Sequence, residues 1–251
     1  MNTLLIIYIT IIGLILGSFY NVVGLRVPLK ESVVTPRSSC PKCKKVLTYI
    51  ELIPVLSYIV QKGKCRSCQA PISPIYPFME FMTGLLFSIS PFIIGWSVEL
   101  IFCYALISLL IIITVSDLAY MIIPDKILIF FTAVSLFLHL TLRDADWLNL
   151  LLGAMIGFGL LLLIAVVSKG GMGGGDIKLF ALLGFILGVK NVLLAFFFAV
   201  FLGAVIGLLL MALGIVEKKK PIPFGPFIAI GALLSYYFGE SILNWYFQIF
   251  I

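Results

Sequence analysis

Charged residues are scarce in this chain of 251 residues, where lysine, arginine, aspartate and glutamate together make up only 11% of the sequence. Hydrophobic residues account for 62%, and the mean hydropathy is +1.22. A soluble domain of this size does not need so much apolar surface, so the composition excludes that class and indicates a polytopic membrane protein. Histidine occurs once, and no Ser–His or Cys–His arrangement for covalent catalysis is present.

Two further signals are missing. The N-terminal segment has no basic n-region and no small-x-small cleavage signal, which favours a retained first span over a removable signal peptide. The net charge of +6 is no sign of nucleic-acid binding, because residues 24–75 alone carry +7 and the rest of the chain sums to −1. A basic segment beside a membrane span indicates orientation and attraction to anionic lipid headgroups, so the predicted partner is the bilayer.

Apolar runs predict an all-α polytopic membrane protein with about eight transmembrane helices. They lie at about 3–23, 76–95, 99–116, 124–142, 148–168, 177–189, 191–214 and 224–239, and 177–189 is shorter than a normal span. With the N-terminus outside, 15 of the 17 basic residues fall in cytoplasmic segments, as the positive-inside rule requires. The predicted parts are therefore a first helix (1–23), a cytoplasmic loop domain (24–75) and a transmembrane core (76–251).

The loop domain contains two CxxC pairs, formed by Cys40, Cys43, Cys65 and Cys68, with 21 residues between the pairs. Two such pairs can present four thiolates to one zinc ion, and this separation is close to that of ribbon-type sites. Since four sulfurs leave no open coordination position, we predict a structural zinc ion that staples the loop. A redox dithiol and unliganded thiols are the alternatives, and a cytoplasmic location disfavours disulfides.

Two aspartates are the candidate catalytic residues. Asp117 ends an apolar run, and Asp176 follows a glycine-dense turn and opens another. A carboxylate at the end of a membrane-length apolar run is expensive to keep, which makes each one a functional-site hypothesis. Two that converge on one water molecule would supply a general base and a general acid, which is the chemistry of an aspartyl protease.

Other residues are expected to support this pair. The turn before Asp176 contains Gly170, Gly171, Gly173, Gly174 and Gly175, which permit positive φ angles and close approach of an extended substrate. A flexible linker is the alternative interpretation, and a P-loop is disfavoured because its GK[ST] ending is missing. Asp125 is expected to cap the start of the fourth span rather than to act in catalysis. Lys178, two residues after Asp176, is also expected to support the aspartate pair.

These motifs together resemble the type IV prepilin peptidases, bacterial members of the GxGD aspartyl protease group. The resemblance covers most of the chain and rests on four segments in the same order: GSFYNVVGLRVP at 17–28, CPKC to CRSC at 40–68 followed by PISPIYPFMEFMTG at 71–84, SDLAYMIIPD at 116–125, and GMGGGDIKL at 171–179. It implies that Asp117 and Asp176 are catalytic and that the four cysteines bind zinc.

The resemblance also implies a function. Members of that family cut the short basic leader from prepilins or pseudopilins at the cytoplasmic face of the bacterial cell membrane. Many also N-methylate the new terminal residue with S-adenosylmethionine, although this chain has no soluble-methyltransferase glycine fingerprint and the residues for that activity are left open. The short N-terminal segment and compact loop are similar to proteins of Gram-positive bacteria, where competence pseudopilins are common substrates.

Two other functions stay open at this point. Intramembrane carboxylates and glycine-broken helices also build ion pathways in small transporters. A zinc-loop membrane scaffold without catalysis is the second alternative. The peptidase interpretation is favoured because a transporter has little use for a zinc-stapled loop, and a scaffold leaves the two aspartates unexplained.

Overall fold

A computed structural model describes residues 3–142, 145–169, 171–214 and 222–250. Its helices are α1 (Thr3–Arg26), α2 (Leu56–Val60), α3 (Ile75–Ile94), α4 (Glu99–Tyr120), α5 (Asp125–Leu142), α6 (Trp147–Val167), α7 (Gly174–Ala212) and α8 (Gly225–Phe250), with a short 3-10 helix at Ile50–Leu52. All except α2 and the 3-10 helix are long and apolar enough to cross a membrane, which makes seven candidate spans among the described residues. The predicted all-α class is confirmed.

Helix α7 is 39 residues long because two helical segments are joined at Gly188, whose φ of 75° and ψ of 177° are not helical. Phe180 and Phe196 flank this glycine at equal distances, and their ring centroids are 5.9 Å apart. In a straight helix two residues that far apart in sequence would be separated by about 24 Å. The chain therefore folds back at Gly188, and the seven helices contain eight apolar segments, as predicted.

The turn at Gly188 is fixed by α6. The side-chain oxygen of Asn149 accepts a hydrogen bond from the Val189 amide at 3.1 Å, so one backbone donor released by the turn has a partner. The segment before the turn, 174–187, is too short for an ordinary span and corresponds to the short run predicted at 177–189.

The structure comprises two compact units, Met1–Leu100 and Ile101–Ile251. In the first unit α1 packs on α3 through glycines: a Cβ atom added to Gly13 would lie 2.9 Å from the Gly84 Cα, and one on Gly17 would lie 2.8 Å from the Glu80 Cα. Small residues at such positions let helix backbones approach closely in lipid. Helix α3 therefore packs on α1, in the same compact unit as the loop.

The second unit is built around α4. Most of this helix is buried, and side chains such as Ile107, Leu109 and Leu110 are almost fully enclosed. Helix α7 packs against α6 on one side and α8 on the other, again where glycines meet the neighbouring backbone, as Gly231 meets Ala199. The end of α4 meets the start of α8, where Gly225 lies against Asp117.

Candidate functional site

Asp117 lies in the last turn of α4 and is buried, with 6% of its surface exposed. Its Oδ2 accepts a hydrogen bond of 2.6 Å from the backbone N–H of Gly225, the first residue of α8. The N-terminus of a helix carries unsatisfied N–H groups and the positive end of the helix dipole, both suited to a carboxylate. Asp117 is thus held by a second helix as well as by its own.

Gly225 is a residue that the sequence prediction missed. A Cβ atom at this position would lie 2.8 Å from the Asp117 Oδ2, so only glycine lets α8 begin directly on the carboxylate. A signal was available in the segment Pro223-Phe224-Gly225-Pro226, because proline in the first turn marks a helix start. That segment carries no charged or nucleophilic side chain and therefore does not resemble a site.

Asp176 lies in the first turn of α7, three residues after Gly173, the N-cap residue. A Cβ atom on Gly173 would lie 2.9 Å from the Asp176 Oδ2, so the carboxylate folds back over the bare backbone of the N-cap residue. The third residue of a helix takes this position in one half of a capping box, where its side chain reaches back toward the N-cap amide. Gly173 has no side chain with which to complete the other half.

The two predicted carboxylates come together at one end of the second unit, where the chain that follows Asp117 meets the glycine turn that precedes Asp176. The chain after α4 makes this possible. Ser116 donates a 2.5 Å hydrogen bond to the Ile122 carbonyl, and a Cβ atom on Gly175 would lie 2.7 Å from the Ile123 Cβ. The connection after Asp117 thus packs directly on the glycine turn before Asp176.

The supporting residues lie around this pair. The Lys178 ammonium contacts both oxygens of Asp125 at 2.8 Å, which links the start of α5 to the start of α7. This ion pair is more than half exposed, so it stabilises the fold by at most about 1 kcal/mol. The Gly171 amide donates to the Ser168 hydroxyl at 3.1 Å, at the beginning of the glycine turn, and Gly170 lies outside the described residues.

The four loop cysteines form a second cluster, in the first unit. The Cys40 and Cys68 sulfurs are 3.8 Å apart, those of Cys43 and Cys65 are 4.0 Å apart, and all four lie within 4.8 Å of one another. None is in a disulfide. Sulfurs bound tetrahedrally to zinc at about 2.3 Å are separated by about 3.8 Å. The cluster therefore has dimensions that fit one four-coordinate metal ion.

The two CxxC pairs have the same backbone structure. The Cys40 amide donates to Lys45 and the Lys44 amide to Cys40, and the Cys65 amide donates to Ala70 and the Gln69 amide to Cys65. Lys44 and Gln69 both adopt positive φ angles, of 59° and 57°. A short antiparallel bridge closes each turn. The loop thus contains two copies of one CxxC turn.

Backbone N–H groups within each turn act to lower the pKa of the cysteine thiols, which favours the thiolate form that binds a cation. The amides of Cys43 and Lys42 lower the pKa of the Cys40 thiol to about 6, and those of Cys68 and Ser67 lower the pKa of Cys65. The Lys45 amide acts in the same direction on Cys43, but desolvation and the neighbouring thiols raise its pKa to about 11. A divalent cation would offset that crowding of thiolates.

Fold and sites together define a polytopic membrane protein with a paired-aspartate centre and a four-cysteine centre. Residues 11–93 match the Bacterial Peptidase A24 N-terminal domain, and residues 104–208 match the Type IV leader peptidase family. The cysteine cluster falls in the first match and both aspartates in the second. No solved structure matches the chain significantly.

Individual relatives agree with these matches. The chain is 49% identical to the prepilin leader peptidase/N-methyltransferase of Bacillus subtilis (strain 168), over 94% of this chain and 95% of that protein. It is 37% identical to the protein of that name from Myxococcus xanthus (strain DK1622), over 82% and 63% of the two chains, and 31% identical to that of Neisseria gonorrhoeae, over 94% and 92%. The chain belongs to the prepilin leader peptidase/N-methyltransferase family, and it is an enzyme.

Proposed function

We propose that this protein is a membrane aspartyl endopeptidase that removes the short basic leader of type IV prepilins or pseudopilins and N-methylates the new N-terminal residue. The observation that carries the proposal is the local packing around the two aspartates: the Gly225 amide at the start of α8 holds Asp117, and the chain after Asp117 packs on the glycine turn before Asp176. A transporter is not favoured, because the chain matches the Type IV leader peptidase family and its relatives are named prepilin leader peptidase/N-methyltransferase.

The chemistry follows from two close carboxylates. Both cannot be ionised at low cost, so one keeps a proton. The ionised partner removes a proton from a water molecule as that water attacks the scissile carbonyl carbon, and the protonated partner donates to the carbonyl oxygen. Gly225 holds Asp117 through its backbone N–H, and the Asp176 carboxylate lies against the bare backbone of Gly173. Asp125 takes no part in this proton transfer, because its carboxylate is paired with the Lys178 ammonium.

The proposed location is the bacterial cell membrane, with the N-terminus outside and the loop at 24–75 in the cytoplasm. The distribution of lysine and arginine supports this orientation. A substrate would then keep its apolar helix in the bilayer and its basic leader in the cytoplasm. Because Asp117 and Asp176 lie at helix ends, the junction between leader and helix would reach them without entering the middle of the membrane.

Zinc is the metal proposed for the cysteine cluster, where Cys40, Cys43, Cys65 and Cys68 would hold it. Four thiolates and no open position give the ion a structural role, which is to fold the loop. The methyl donor is proposed to be S-adenosylmethionine, a co-substrate that supplies the methyl group.

Co-expression with a prepilin tests the proposal. Leader loss should appear as a faster-migrating pilin on a gel, and mass spectrometry of the product should find a methylated N-terminus. The Asp117→Asn and Asp176→Asn variants should leave the prepilin uncut. Uncut prepilin beside a well-expressed wild-type enzyme, for prepilins of both pilus and competence type, would contradict the proposal.

A further inference from the structure

Exposed apolar side chains are concentrated on one short part of the loop domain. On α2, Leu56, Ile59 and Val60 are 60%, 63% and 80% exposed, and their spacing places them on a single side of the helix. Ile50 and Ile53, just before α2, are exposed as well. Single exposed apolar residues are ordinary, but a contiguous patch marks an interaction site.

Basic residues border this patch. Lys62, Lys64 and Arg66 are exposed. Together with the apolar side chains other than Ile59, they line a groove of about 450 Å³. The acidic residue nearby, Glu51, is buried and accepts hydrogen bonds from the Thr48 amide and hydroxyl. Every exposed charged residue between positions 50 and 69 is therefore positive. We call residues 50–66 the apolar–basic face, after their exposed apolar and basic side chains.

A hydrogen bond fixes the depth of this face relative to a spanning helix. The Val55 amide, immediately before α2, donates to the Glu80 carboxylate at 2.8 Å. Glu80 is the sixth residue of α3, which places it about 7.5 Å along the helix from its start. Val55 has a φ of 61°, which is an energetically unfavourable backbone conformation for a β-branched residue. The hydrogen bond to Glu80 helps to stabilise this conformation.

We propose that the apolar–basic face docks on the bilayer surface at the end where α3 begins. Leu56, Ile59 and Val60 enter the boundary between headgroups and acyl chains, and the basic residues contact anionic headgroups. Three observations support this occupant: the Val55–Glu80 contact places α2 beside the end of a spanning helix, the patch is apolar on one side, and its rim is uniformly positive. A basic peptide would be repelled by that rim, and side chains this exposed do not enclose a small ligand.

Tryptophan fluorescence of the full-length protein in lipid nanodiscs tests the proposal. In the background protein, the native tryptophans Trp96, Trp147 and Trp245 are replaced by phenylalanine. The probe variant adds Ile59→Trp. The control variant adds Val46→Trp instead, on the first CxxC turn. In nanodiscs of equimolar phosphatidylglycerol and phosphatidylcholine, brominated acyl chains should quench the Ile59→Trp signal by about twofold, and the control much less. Replacing Lys62, Lys64 and Arg66 with glutamine, or omitting the anionic lipid, should weaken the quenching.

Bound metal at the cysteine cluster verifies that each variant is folded. If the Ile59→Trp variant does not fold, Leu56→Trp takes its place as the fluorescent probe. The proposal is overturned if brominated lipid leaves the α2 tryptophan unquenched while water-soluble acrylamide quenches it as strongly as the control. It is also overturned if S-adenosylmethionine or a prepilin, rather than lipid, protects that tryptophan from acrylamide. Neither result would bear on cleavage by the aspartates, which is measured separately.

Discussion

The cysteine cluster and the aspartate pair are built in opposite ways. The cluster is assembled from two copies of one turn, each held by its own backbone hydrogen bonds, and its surroundings are largely exposed. The aspartates lie on helices far apart in sequence and meet because α4 is buried and α7 and α8 begin beside its end. Short-range backbone geometry determines the first site, whereas helix packing determines the second.

Removing a metal ligand should have the largest effect that distinguishes the two regions. Cys40→Ser or Cys68→Ser should lose the bound zinc and unfold the loop, because the binding energy of a structural zinc ion, of order 10 kcal/mol, is largely folding energy. Metal analysis and limited proteolysis would show zinc loss and cleavage within residues 24–75.

Cys103→Ser is the matched control, since Cys103 is buried in the second unit outside the cluster. It should retain about one zinc ion per chain and resist proteolysis. Stoichiometric zinc in Cys40→Ser, or stoichiometric disulfides among the four cysteines in material kept reduced from lysis, would show that the four sulfurs do not form one metal site.

A single methyl group at the start of α8 should damage the aspartate pair. Gly225→Ala places a Cβ atom 2.8 Å from the Asp117 Oδ2, so the carboxylate or the helix must move. Overpacking of this kind costs about 1–3 kcal/mol, and we expect cleavage to slow by about tenfold or more. Gly159→Ala, where an added Cβ atom meets no atom within 4 Å, should cleave at the wild-type rate. Equal rates for both variants would mean that Gly225 does not position Asp117.

The smallest effect is expected from the exposed ion pair. Asp125→Asn and Lys178→Gln should each change the cleavage rate by no more than about fivefold, the equivalent of 1 kcal/mol for a surface pair. The exchanged variant, Asp125→Lys with Lys178→Asp, should recover part of the loss if the pair acts by joining α5 to α7. An inactive Asp125→Asn variant would place Asp125 in the catalytic pair instead of beside it.

The two regions also differ in how far their sequences predict them. Cysteine spacing and the apolar runs led directly to the cluster and to eight segments, because both depend on local chemistry. The sequence pattern predicted a break between the runs 177–189 and 191–214, but it did not identify Gly188 as the residue at which the chain turns. The packing of α1 on α3 depends on Gly13 and Gly17 meeting a distant backbone, which no local pattern shows. Gly225 was missed because its function depends on a backbone N–H, and the prolines around it mark a helix start rather than a site.

The central claim is that Asp117 and Asp176 form one catalytic centre, and the most direct test is the cleavage rate of the single and double asparagine variants. An amide has nearly the shape of a carboxyl group but cannot act as the general base or share the proton. Each single variant should lose at least about 10²–10⁴-fold in rate, and the double variant should be no slower than either, as for residues that act as a unit. Substantial activity in either single variant, with normal membrane insertion, would contradict the account.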